Sequence, residues 1–192
     1  MFIQTQSTPN PATLKFLPGR DVSPSTPYEF ISEDEAAASP LAAALFAVNG
    51  VRNVFLGSDF VSITKTDDAD WAVLKPQALA AIMDHFVSGA PIMADANAQP
   101  ASDDDEDVVY EGETAETVAE IKELIATRVR PAVANDGGDI VFRRFDVETG
   151  IVHLSMRGAC SGCPSSTATL KNGVENLLRH YVPEVTAVEA TI

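Results

Sequence analysis

Residues 101–113 carry seven acidic side chains and no basic one, and the run Ser102-Asp103-Asp104-Asp105-Glu106-Asp107 has neither helical nor strand periodicity. Like charges at that density repel one another and extend the backbone, so the block has no place in a packed core. Pro91, Asn97, Gln99 and Pro100 lead into it. Together these residues divide the 192-residue chain into two pieces, 1–90 and 114–192, around a linker at 91–113. Each piece is small for a domain and must bury a core of its own. As a coil of about 20 residues the linker would reach roughly 25 Å. The expected fold class is α+β, two small α+β domains joined by an acidic flexible linker.

The net charge of -15 is distributed unevenly, with -6 in residues 1–100, -7 in 101–113 and -2 in 114–192. Such a chain repels nucleic acids and anionic membranes, so neither is expected as a partner. No run of about 18 apolar residues exists to span a bilayer. Met1 to Gln6 lack the basic flank and apolar stretch of a secretory signal. With only two cysteines, placed so that a disulfide would close a tiny loop, a reducing cytoplasmic compartment is expected.

In the first piece, Thr13–Leu17 and Tyr28–Ile31 read as strands separated by Pro18, Gly19, Pro24 and Pro27. Ser39-Pro40 starts a helix with a capping hydroxyl and a proline at its first position, and Asn49-Gly50 stops it. Val51–Leu56 and Phe60–Thr64 flank Gly57-Ser58-Asp59 as a hairpin. A second helix is expected over about 75–88, with Leu79, Ile82, Met83 and Phe86 on one face. In the second piece, Val118, Ile121, Ile125 and Val129 form a helical stripe that Arg130-Pro131 should end. Asn135-Asp136-Gly137-Gly138 is a turn. Asp139–Asp146 and Ile151–Arg157 follow as strands, the second alternating buried Val152, Leu154 and Met156 with exposed His153, Ser155 and Arg157. Leu170, Val174, Leu177, Leu178 and Tyr181 mark a long helix, and Val185–Ile192 a last strand.

The chemistry concentrates in Gly158-Ala159-Cys160-Ser161-Gly162-Cys163-Pro164, where a strand ends and a helix begins. Cys160 and Cys163 are the only cysteines. Free N–H groups at a helix start and the positive end of its dipole favour thiolate, and Gly158 and Gly162 let backbone come close. Ser161, Ser165, Ser166 and Thr167 add small polar groups on what reads as an exposed turn. Two thiolates are half of the four that a tetrahedral site usually wants. Three readings therefore compete: an iron–sulfur cluster shared between two copies of the chain, a four-thiolate zinc site across the same dimer, and dithiol–disulfide redox chemistry. The histidines supply no further ligand set. His85 beside Phe86 reads as a surface or partly buried residue, His153 as solvent-facing, and His180 as a cation near a helix end. Asp136 and Asp139 read as turn and strand-entry residues.

The segments Asn135-Asp136-Gly137-Gly138-Asp139-Ile140, Gly158 to Ser166 and Thr169-Leu170-Lys171 closely resemble the NifU-like C-terminal domain of the Nfu family. Ser7-Thr8-Pro9-Asn10-Pro11-Ala12-Thr13-Leu14-Lys15-Phe16 and Phe46-Ala47-Val48-Asn49-Gly50-Val51 resemble that family's N-terminal domain, of the mitochondrial type. The resemblance implies a non-enzymatic scaffold or carrier that holds a [4Fe-4S] cluster between two protomers and passes it to apo-proteins. It implies that Cys160 and Cys163 are the metal ligands, two from each chain of a cluster-bridged homodimer. The partners it implies are apo iron–sulfur client proteins and an upstream cluster donor. A start so close to the first domain suggests a bacterial protein of the cytoplasm or a processed form in the mitochondrial matrix. A thiol–disulfide redox protein using the same pair is the alternative.

Overall fold

A computed structural model describes residues 2–94, 109–161 and 164–191, with backbone alone for 164–167. The acidic run 102–107, Gly162, Cys163 and the side chains of Ser165, Ser166 and Thr167 lie outside the described residues. The chain forms two compact units, Met1–Ala101 and Ser102–Ile192, and each mixes helices with a sheet of its own.

The first unit is built on a five-stranded antiparallel sheet in the order β1-β2-β5-β4-β3. Its strands are β1 (Gln4–Ser7), β2 (Thr13–Leu17), β3 (Tyr28–Phe30), β4 (Val51–Leu56) and β5 (Val61–Lys65). β4 and β5 form the expected hairpin through Gly57-Ser58-Asp59, closed by Gly57 N–H donating to the Phe60 carbonyl at 2.9 Å. The helices are α1 (Glu33–Ala36), α2 (Pro40–Phe46) and α3 (Trp71–Ser88). Ser39 caps α2 as its sequence position demands, its hydroxyl accepting from Ala42 N–H at 3.2 Å. The same hydroxyl donates to the Ile92 carbonyl at 2.6 Å, fastening the chain that leaves α3. Phe16, Leu41, Leu45, Leu56, Ile63, Leu74 and Ile82 centre the core.

Two expectations for this unit need correction. Helix α3 begins at Trp71 rather than near Lys75, because Asp70 caps it by accepting from Ala72 N–H at 2.9 Å. Its fully buried residues are Leu74, Ala78, Ile82 and His85; Leu79 and Phe86 pack against the core partly buried, and of the expected stripe Met83 alone is exposed, at 40%. The helix carries apolar residues all round, so periodicity alone does not exclude Met83 or reveal His85. His85 is buried, at 6% exposure. Strand β1 and helix α1 carry no apolar periodicity; β1 exists because the backbone of β2 pairs with it from Gln4↔Leu17 to Ser7↔Leu14.

The second unit has α4 (Glu113–Leu124), α5 (Arg130–Asn135), α6 (Pro164–Tyr181) and strands β6 (Gly138–Asp146), β7 (Ile151–Gly158) and β8 (Ala187–Thr191). β6 and β7 make an antiparallel hairpin, and β8 returns parallel to β7 after α6. Ile121, Ile140, Leu154, Leu178 and Val188 are fully buried at the centre of this core. Arg130-Pro131 does not end the first helix. One π-helical turn, Ile125–Val129, joins α4 to α5, with Arg130 N–H donating to the Ile125 carbonyl. The sequence gives the reason. Ile121, Ile125, Val129 and Val133 are all buried and repeat every fourth residue, a spacing that drifts by about 40° per step on a 3.6-residue helix. A wider turn returns the stripe to the core and gives the Pro131 ring room against the preceding carbonyls.

Candidate metal centre at the cysteine turn

Four backbone pieces meet at Cys160. Helix α5 closes at Asn135, Asp136 follows at φ -82° and ψ 1°, and Gly137 adopts φ 83°, the left-handed turn that a residue without a side chain takes at least cost. Gly138 then starts β6 directly opposite Gly158, the last residue of β7. Gly158 has φ 64° and redirects the chain into the turn. Ala159 N–H donates to the Gly137 carbonyl at 3.1 Å, and the Ser161 N–H and hydroxyl both reach the Gly158 carbonyl, at 3.1 and 2.8 Å. Helix α6 starts at Pro164, the residue after Cys163, as the proline-first pattern requires.

Cys160 is not on an exposed turn. It is 6% exposed and belongs to the apolar cluster of this unit. The cause is Gly138: a Cβ there would stand 2.7 Å from Cys160 Sγ and 2.6 Å from the Arg157 carbonyl oxygen. The missing side chain is the seat in which the sulfur lies. Arg157, expected on the outer face of its strand, is only 7% exposed. It stands in register with Asp139, itself 5% exposed. Arg130 closes on that carboxylate from the start of α5 with a two-pronged contact, Nε to Oδ1 at 2.8 Å and Nη2 to Oδ2 at 2.7 Å.

The pairing of Arg130 with Asp139 is what sequence reasoning missed. An aspartate leading straight into the apolar run Ile140-Val141-Phe142 was the available signal, since a carboxylate at such a position needs a partner. His153 is partly buried rather than solvent-facing, with Nδ1 3.5 Å from Glu189 Oε2. His180 packs edge-on to Tyr181 at 4.9 Å. His85 lies in the other unit, and burial pushes its pKa below the usual imidazole value. Among the described residues no group of three or more His, Cys, Asp or Glu is arranged to hold a metal ion.

A soft thiol donor seated on a glycine, between a strand end and a helix start, fits a thiolate-ligated iron–sulfur cluster or zinc. Two open clefts of this unit lie elsewhere. Tyr110, Arg144 and Phe145 line one, and Thr117, Gly150 and Thr186 the other.

Residues 3–89 match the family described as scaffold protein Nfu/NifU N terminal, and residues 121–189 match the NifU-like domain. The chain is 54% identical over 189 residues to NifU-like protein 5, mitochondrial, of Arabidopsis thaliana, covering 98% of this chain and 67% of that protein. It is also 54% identical over 192 residues to the NFU1 iron-sulfur cluster scaffold homolog, mitochondrial, of Drosophila persimilis, covering 98% and 64%. The chain thus spans about two thirds of the length of these relatives. The solution structure of a NifU-like protein from Saccharomyces cerevisiae is 27% identical, covers 49% of this chain and 85% of its own, and aligns with a TM-score of 0.43.

Proposed function

Because this chain belongs to the Nfu family, we propose that it is an iron–sulfur cluster scaffold whose cargo is a [4Fe-4S] cluster. In this reading Cys160 and Cys163 of two copies supply the four thiolates, and the assembled cluster passes to apo-proteins without the chain acting as an enzyme. The observation that carries the reading is Cys160 Sγ lying against Gly138, at a turn held by backbone hydrogen bonds to the Gly137 and Gly158 carbonyls. Cys163, the residue before α6, supplies the second thiolate of each copy.

The residues act on the cargo in a defined order. Loading requires both thiols to release their protons, so uptake weakens as pH falls. The seat at Gly138 fixes where Cys160 offers its sulfur. Handing over requires ligand exchange with a recipient's cysteines, and burial of Cys160 makes that step depend on local opening of the turn. The partners are an upstream donor of clusters and the recipient apo-proteins.

The domain organisation proposed is a recognition domain at 1–90, a linker at 91–113 and a cluster domain at 114–192. Tethering raises the effective concentration of cargo near a client bound by the first domain. The apolar side chains that α3 leaves in solvent, Val73, Met83 and Val87, support a recognition role for that domain. Relatives named as mitochondrial support the mitochondrial matrix over the bacterial cytoplasm. No described helix is long and apolar enough to cross a membrane.

Metal analysis of protein purified without oxygen tests the cargo. Iron with equimolar acid-labile sulfide supports the scaffold, whereas zinc, or a reversible disulfide with no metal, contradicts it.

A further inference from the structure

We propose that Arg130 and Asp139 form a positioning clamp that sets the opening of the cysteine turn, and that the π-helical turn before Arg130 exists to aim it. The proposal deepens the scaffold reading and rests on Cys160 being a ligand; the clamp's geometry does not need the cluster.

Arg130 meets both carboxylate oxygens of Asp139 in a fork, at 2.8 and 2.7 Å. The carboxylate side chain is 7% exposed, while that of Arg130 is 42% exposed. A charge-assisted two-pronged pair is stronger and more directional than a single hydrogen bond, and it fixes the orientation of both groups. Asp139 is covalently next to Gly138, the residue on which Cys160 Sγ lies. It is also in register with Arg157, three residues before Cys160. Holding Asp139 therefore holds the floor of the turn and the strand end that feeds it.

The phase of Arg130 is not accidental. It is the first residue after the π-helical turn, and its own N–H closes that turn on the Ile125 carbonyl. One residue fewer in the turn would rotate Arg130 by about 100° around the helix axis and off the line to Asp139. A π-helical turn inside a helix often marks a working site, and here it delivers one guanidinium to one buried carboxylate. The turn is consequently latched from outside: Arg130, the more exposed partner, can be drawn away without disturbing the apolar core.

The experiment measures alkylation of Cys160 by iodoacetamide in the full chain carrying Cys163→Ser, from pH 6 to 10, without metal. The variants are Arg130→Lys, which keeps the charge and loses the fork, and Asp139→Asn. The clamp predicts that the high-pH plateau rate rises about tenfold in Arg130→Lys and at least as much in Asp139→Asn. Amide exchange should accelerate at Ala159 and Ser161 and hold steady at Ile121 and Val188.

An unchanged plateau rate overturns the proposal. So does exchange that accelerates by one common factor at all four amides, which would make the pair a general stabiliser of the unit. Iron uptake is measured separately in the chain with both cysteines. Normal uptake with unchanged alkylation sinks the clamp alone, and altered alkylation in a chain that takes up no iron sinks the scaffold reading alone.

Discussion

Each unit buries a polar side chain against an apolar core, and the two are treated in opposite ways. His85, on α3, is 6% exposed and its Nε2 has no hydrogen-bond partner among the described residues. Asp139, at the head of β6, is 5% exposed and held by both prongs of Arg130. An unmet buried polar atom costs stability, whereas a fully met charge fixes geometry. The buried carboxylate stands beside the glycine that seats Cys160. The difference separates a polar group left unmet among the described residues from one held by a charged partner.

The largest effects should test whether the two cores are separate. Leu154 and Ile63 are both fully buried, in the second and first units. Truncating either to alanine should cost its own unit about 3 kcal/mol. Trp71, the only tryptophan, lies in the first unit, where its indole N–H donates to the Pro11 carbonyl at 3.2 Å. Its fluorescence in urea should follow Ile63→Ala and ignore Leu154→Ala; a transition that moves in both variants breaks the comparison.

Next in size is Arg130→Ala, which leaves the Asp139 carboxylate buried without its fork. Because Arg130 is itself partly exposed, the expected loss is about 2 kcal/mol rather than the larger cost of breaking a wholly buried pair. Amide exchange at Ala159 and Ser161 reads it, as a loss local to the cysteine turn that leaves Ile121 and Val188 steady. Gly138→Ala follows at about 1–2 kcal/mol, since the new methyl group meets Cys160 Sγ and the Arg157 carbonyl oxygen at 2.7 and 2.6 Å. A thermal midpoint of the second unit equal to the parent's would mean that the sulfur has no fixed seat.

The smallest effect belongs to His85. Burial lowers its folded pKa below the usual imidazole value, so the unfolded chain takes up this proton more readily. The stability of the first unit is then whole above about pH 6.5 and falls as pH drops from there through the folded value. His85→Leu should remove that slope and change stability at pH 7 by less than about 1 kcal/mol. A Trp71 transition with the same loss between pH 7 and 5 in the variant would assign the slope to another group.

Much of the architecture is legible in the residues. β2 and β4 lie where their apolar runs end at turn residues, and Ser39-Pro40 caps α2. The strand–turn–helix setting of Cys160 follows from alternation in β7 and from the proline that opens α6. What was hidden depends on contacts distant in sequence. β1 is polar and exists by pairing with β2. The π-helical turn reads as a helix end until the four-residue spacing of Ile121, Ile125, Val129 and Val133 is traced through Pro131. Cys160 looked exposed because glycines and serines surround it, yet the close approach of Gly138 is what buries it. Residue types near a site announce its chemistry; its accessibility is decided by the strand across from it.

The central claim is that half a ligand set in one chain becomes a whole one in two. Anaerobic reconstitution with iron and sulfide, followed by absorbance and native mass, tests it most directly. The account predicts a dimer with about four irons for the unaltered chain, and neither iron nor cluster-dependent dimer for Cys160→Ser. Iron bound to a monomer, or a full cluster retained by Cys160→Ser, would contradict it.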